Sequence, residues 1–239
     1  MAVRLWLWTL VLVLSTLFWG VWQMPARPLL ASLDGTPMGQ APLRLQRIEG
    51  VWREGAAHWQ WQGLSGRLQW SLDWRGLTPG VQLQLSGDVI ASGWLGGRPG
   101  AWQVQALDLA LPVAPLVRGM PGIQAEGTAS IRGLTLIWGK QGPEAAEARL
   151  DYTGGNVSWA PGQGAEVPPL TGLLRHDGAA ARLDARDPQG TLLAEGSVEN
   201  DLASLRVYRA WPMLLGASQG GSPGDVVFET SRPLADNNN

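Results

Sequence analysis

Apolar side chains recur at every second position through much of this chain, and that period decides what it can build. In the stretch from Gly66 to Gly76, Leu68, Trp70, Leu72 and Trp74 alternate with Arg67, Gln69, Ser71, Asp73 and Arg75. Trp59 and Trp61 alternate in the same way with His58, Gln60 and Gln62, and Val81, Leu83 and Leu85 with Gln82, Gln84 and Ser86. Trp102, Val104 and Ala106 continue the pattern against Gln103 and Gln105. Residues two apart share a face in a strand, whereas a helix would scatter them around its axis. These segments are therefore strands with one apolar and one wet side. The apolar sheet face is expected to carry Trp59, Trp61, Leu68, Trp70, Leu72, Trp74 and Leu83. Gly63, Gly66, Gly76, Pro79-Gly80, Gly87, Gly96-Gly97 and Pro99-Gly100 punctuate the runs at the spacing of an antiparallel meander.

The second half repeats the theme less cleanly. Residues 125–138, 149–159, 181–185 and 203–208 read as further strands. Pro112 and Pro115 exclude a regular helix interior between the halves. After the N-terminal run, Pro143 to Arg149 is the best helix candidate, and Gly162 to Pro169 reads as a flexible loop. Ile48-Glu49-Gly50 leading to Gly66–Trp70 is loosely echoed by Ala125-Glu126-Gly127 leading to Gly154–Trp159, which leaves two similar halves open as an arrangement. The fold class is mainly β: an N-terminal single transmembrane helix followed by a twisted, curved antiparallel sheet domain, a meander or β-groove.

The N-terminal run from Leu5 to Trp22 is apolar apart from Thr9, Ser15, Thr16 and Gly20, with Arg4 before it. A transmembrane helix needs roughly 20 such residues, range about 17–25. Trp6 and Trp8 stand near one end and Trp19 and Trp22 near the other, where indoles favour the headgroup level. Leu5, Trp6, Trp8, Trp19 and Trp22 thus mark a membrane anchor with its N-terminus in the cytoplasm. A cleaved signal peptide is the rival reading, but its apolar region is shorter, about 7–15 residues. Met24-Pro25-Ala26 is also a poor cleavage site. Either way the remainder is exported. The expected organisation is a short cytoplasmic start (1–4), a transmembrane anchor (5–22), a connector rich in Pro, Gly and Ala (23–42), a periplasmic β domain (43–231) and a disordered tail (232–239).

Composition removes several function classes. The net charge is −2 with no basic stripe, so nucleic acid has no electrostatic footprint here. There is no cysteine, so an exported domain must hold together without disulfides. His58 and His176 lie in different halves, giving no tight cluster of zinc ligands. No Gly-x-Ser-x-Gly elbow is present, and Glu49, Asp73, Asp108, Asp151 and Asp184 are scattered. Gly93-Trp94-Leu95-Gly96-Gly97 does not precede a helix and so is not a phosphate cradle; its glycines are expected to serve turns. No catalytic, cofactor or metal site is expected, and the chain reads as a non-enzyme. With 14 Trp against 2 Phe and 2 Tyr, indoles supply the bulk. Their phase with leucine favours core, with a carbohydrate surface or an apolar groove for lipid or protein as alternatives.

Several elements together resemble the type II secretion system protein N family. They are the N-terminal span with Pro25-Ala26 after it, Gly50-Val51-Trp52-Arg53-Glu54-Gly55, and the strand Gly66-Arg67-Leu68-Gln69-Trp70-Ser71-Leu72. Leu77-Thr78-Pro79-Gly80 and the later Gly155-Asn156-Val157-Ser158-Trp159 complete the set. The resemblance implies a bitopic inner-membrane protein whose periplasmic sheet contacts other secretion-system subunits, with no catalytic role and no cofactor. A more distant similarity to β-groove proteins of the AsmA type implies the alternative, a periplasmic lipid-binding or lipid-transfer protein of the cell envelope. Oligomeric state is not implied by either.

Overall fold

The computed structural model describes residues 12, 15, 16, 19, 20, 22–31, 34–38, 41–118, 120–140, 142–160, 162–178, 180–199, 202–218 and 220–233. Leu12, Ser15, Thr16, Trp19, Gly20 and Trp22 are helical and end in a turn at Gln23, whose N–H donates to Trp19 O at 3.0 Å. Among the described residues no helix is long and apolar enough to cross a membrane. Leu5, Trp6 and Trp8 of the expected anchor, and the tail beyond Pro233, lie outside the described residues.

Helix α1 (Arg27–Leu30) is followed by β1 (Pro37–Met38), β2 (Ala41–Pro42), β3 (Arg44–Val51), β4 (Glu54–Trp61), β5 (Leu64–Arg75), β6 (Thr78–Gly87), β7 (Ile90–Arg98) and β8 (Ala101–Pro112). Next come α2 (Ala114–Val117), β9 (Gln124–Ala125), β10 (Thr128–Gly139), β11 (Gly142–Tyr152), β12 (Gly155–Ala160) and β13 (Gln163–Val167). The chain closes with β14 (Leu170–His176), β15 (Ala181–Arg186), β16 (Leu192–Glu199), β17 (Leu202–Tyr208), α3 (Ala210–Leu214) and β18 (Val226–Pro233). One open sheet of 13 strands has the order β18-β17-β16-β15-β14-β11-β10-β8-β7-β6-β5-β4-β3, and every pairing is antiparallel. β13, β12 and β9 make a separate small sheet, and β1 pairs with β2. The hairpins are tight because glycine takes the left-handed conformation at their tips, as at Gly63 (φ 82°) and Gly76 (φ 63°).

Three expectations give way here. Pro143 to Arg149 is not helical but lies in β11, although Glu-Ala-Ala-Glu-Ala favours helix locally. Its alternate residues Ala146 and Ala148 are buried between β10 and β14 while Glu147 and Arg149 face solvent, so strand pairing overrides propensity. The expected loop at 162–169 contains β13. The echoed Gly-rich segments fall in different sheets, Gly66–Trp70 in β5 and Gly155–Trp159 in β12, so they do not mark equivalent positions.

An open sheet buries little. Among the described residues, Trp94 and Leu193 are the large side chains that are fully buried. One cluster joins Leu45, Trp59, Leu64 and Val89, with Leu109 and Leu111 against it. A second joins Ala26, Ala57 and Trp70, with Leu30, Leu68 and Leu83 around them. The N-terminal segment therefore covers the apolar face over β3–β5. Its backbone is pinned there, since Ala26 N–H donates to Gly50 O and Pro25 bridges to Val51.

Trp94 sits on the other, wet face, directly across from Gln82 and Gln105. It fits because Gly80 and Gly96 leave room: a Cβ on Gly96 would lie 2.1 Å from the indole Cη2. Gly93 and Gly96 thus provide space within β7 rather than the turn conformation expected of them. The Arg75 guanidinium lies 5.1 Å from the ring centroid and donates to Gln105 Oε1 at 2.8 Å, closing the indole off from water.

Candidate functional site

The meander gives the sheet two ends and two faces. At the near end lie the β3–β4, β5–β6, β7–β8 and β10–β11 turns; at the far end lie the β4–β5 and β6–β7 turns and the departure of β8 toward α2. Cross-strand register keeps one apolar stripe continuous: Ala57, Leu68, Leu85, Ala91 and Leu109 align directly. It continues through Ile131, Leu150 and Gly172 to Ala185, Ala194 and Val207.

The expected apolar residues lie on the face that carries this stripe. Trp59 and Trp70 are buried, and Trp61, Leu68, Leu72 and Leu83 are half-buried. Trp70 Nε1–H donates to Val51 O at 3.3 Å, which satisfies its polar edge. Trp74, expected to be buried, is 60% exposed. The cause is strand length: β4 ends at Glu54 opposite Ser71, so beyond that point β5 has a neighbour on one side only. Alternation marks which face a residue takes but not how far the neighbouring strand extends.

The two ends differ. At the far end Leu64 and Val89 are buried, and the Arg118 guanidinium after α2 donates to Gln62 O in the β4–β5 turn, strapping that end. At the near end Leu95 and Trp102 stand exposed on the same face. Trp102 and Trp138, directly paired, stack with centroids 6.1 Å apart at 11°. The edges differ too. β3 is overlaid by the segment around Pro25, whereas β18 is an outer strand whose Val226, Val227 and Phe228 are exposed.

The wet face carries ion pairs rather than a reactive constellation. Arg149 and Asp151 (3.0 Å), Arg186 and Asp184 (3.0 Å), and Arg206 and Glu229 (2.8 Å) are solvent-facing pairs worth little each. Among the described residues no group of three or more His, Cys, Asp or Glu side chains converges. His58 is exposed on the wet side of β4, and His176 Nε2 lies 3.0 Å from Pro143 O. A cleft of about 740 Å³ between α2 and the small sheet presents Arg118, Glu126, Asn156 and Glu166. Glu126 is already engaged there by Asn156 Nδ2 at 3.2 Å. Both tyrosines are held above their ordinary pKa. Burial dominates in each, aided at Tyr152 by the Glu126 charge and at Tyr208 by its hydrogen bond to Glu195.

Among the described residues the functional feature is therefore a surface, an apolar face closed at one end and open at the other, with β18 as an outer strand that no described strand covers. Alternation carried the signal for the face. The strap by Arg118 and the outer position of β18 had no local signature. The family model for type II secretion system (T2SS), protein N, matches residues 41–214, from β2 through α3. No curated protein and no solved structure matches the chain.

Proposed function

The chain belongs to the type II secretion system protein N family and so to the type II secretion machinery, and from that premise we propose that it is a single-pass inner-membrane component acting through protein contacts in the periplasm. Leu5–Trp22 holds the chain at the membrane, and the sheet offers its neighbours a strand edge. The observation that carries the reading is the asymmetry of the edges: β3 is overlaid by its own N-terminal segment, while β18 presents exposed Val226, Val227 and Phe228. Such an edge accepts a partner's extended strand by backbone hydrogen bonding. The proposed role is non-catalytic.

The test replaces Val226 and Phe228 with Lys in the full chain. The expected result is reduced co-purification of secretion subunits and reduced release of exported proteins, with an unchanged far-UV spectrum. Unaltered co-purification and secretion would refute strand addition at this edge. A second reading, lipid binding on the apolar face, is favoured by the exposure of Leu95 and Trp102 on that face. Val104→Asp, between Leu95 and Leu136 in the register, separates the two. Loss of co-purifying lipid from a folded variant, with intact subunit contacts, would favour the lipid reading.

A further inference from the structure

The N-terminal helical residues and the sheet meet at one place. Trp52 N–H donates to Met24 O at 3.2 Å, Pro25 bridges antiparallel to Val51, and Ala26 N–H donates to Gly50 O at 3.2 Å. The chain therefore enters from beyond the β3–β4 turn and runs inward along β3, which leaves Trp22 at the near end. There the Trp22 and Trp52 rings meet edge to face at 6.4 Å, and the Arg53 guanidinium lies 4.8 Å from the Trp22 centroid. In the sequence Trp22 closes the apolar run that starts at Leu5. If that run spans the bilayer, as proposed above, the Trp22 indole sits at headgroup level, and Trp52 and Arg53 sit there with it.

The rest of the near end has the composition that this level selects. β5 continues to Arg75, past the point where β4 ends, so the β5–β6 hairpin projects beyond the Trp52-Arg53 turn. Its tip carries Leu77, 97% exposed, with Trp74 just behind. Next along the sheet stands the Trp102–Trp138 stack. At this end Arg53 is paired with Glu54 at 3.3 Å and Arg98 with Glu144 at 2.8 Å, and Lys140 stands exposed in the β10–β11 turn. Indoles and leucine make up most of the exposed surface described above. An amphipathic indole has its most favourable environment at a bilayer interface. The far end, strapped by Arg118, also exposes Ile90, Leu116 and Met120, but the chain enters through Trp22 at the near end.

We infer that the near end is a membrane-contacting rim: Leu77, Trp74, Trp102 and Trp138 enter the headgroup region of the bilayer that holds Leu5–Trp22, seating the open mouth of the apolar face on the membrane. The inference rests on the anchored reading. The occupant is the bilayer interface itself, because chain connectivity through Trp22 brings that interface to this end and no other.

The chain has no cysteine, so single-cysteine variants report one position each. Leu77→Cys, Gln189→Cys at the far end and Ser15→Cys in the apolar run are labelled with NBD in the full chain. Each is reconstituted into vesicles of phosphatidylethanolamine and phosphatidylglycerol. The label at 77 is expected to be blue-shifted and quenched by headgroup-level nitroxide lipid, unaffected by high salt. The label at 189 is expected to match water, and the label at 15 to be quenched by deep-chain nitroxide. A water-like label at 77 with a lipid-buried label at 15 overturns the rim and leaves the anchor standing. Water-like labels at both overturn the anchor and the rim together. A label at 77 that is shielded without lipid quenching, in proportion to protein density, makes a second copy the occupant and also overturns the rim.

Discussion

Removing Trp94 gives the sharpest quantitative test of how this sheet holds together. Its side chain is 0% exposed on a face that is otherwise wet. Truncation to Ala forfeits the burial of an indole, about 3–5 kcal/mol in a packed site. Part of that is the Arg75 contact, about 0.5–1 kcal/mol where partly exposed. A domain's whole stability is about 5–15 kcal/mol, so Trp94→Ala consumes a large fraction of it. Gly96→Ala probes the same pocket from the other side, since the three atoms nearest the added Cβ all belong to the Trp94 ring, at 2.1, 2.6 and 2.7 Å. Overpacking of this kind costs about 1–3 kcal/mol. In the Trp94→Ala background the ring is gone and the penalty should vanish, so the double variant should be more stable than additivity predicts by about 1–3 kcal/mol. Urea unfolding followed by far-UV circular dichroism, in mild detergent, measures all four corners of the cycle. Equal costs for Gly96→Ala in both backgrounds would refute the account, because the glycine would then answer to the backbone and not to the indole.

Two further outcomes follow from the geometry. Trp70→Ala should cost about 3–5 kcal/mol as a buried residue, whereas the exposed Trp74→Ala should cost less than about 1 kcal/mol; similar costs measured by urea unfolding would contradict the difference in burial. The tyrosines set an alkaline limit. With the folded-state pKa of Tyr152 and Tyr208 raised above 10.0, the folded chain holds these protons more tightly than the unfolded chain. Their contribution to stability is present below the unfolded pKa and is lost as pH rises through the folded one. Tyrosinate absorbance in the folded protein should therefore appear at higher pH than in urea, and coincident titrations would sink the prediction.

The period-two pattern made the strands legible, because a side chain's face is a local property of extended backbone. Leu68, Trp70 and Leu72 share a face in the sequence and in the fold. β11 was not legible. Its Ala and Glu residues favour helix in isolation, and only pairing with β10 and β14 makes the extended form better. Trp74 marks the same boundary for burial, since its neighbour's length is set by a turn at Trp52-Arg53, far from it in the chain. Trp94 was hidden because its pocket is made of missing side chains: Gly80 and Gly96 come opposite one another only once β6 and β7 are in register.

The sequence by itself determined an antiparallel β protein with one apolar face, a strongly apolar N-terminal run and the likeness to secretion protein N. Each of these is written in nearest-neighbour spacing or in local motifs. Only the tertiary structure decided that, among the described residues, the apolar face stays open toward the near end, Ala26 and Leu30 cover it over β3–β5, and β18 is the outer edge strand. Those outcomes depend on which segments distant along the chain come to lie against one another, and alternation along one strand carries no information about what packs above it or beside it.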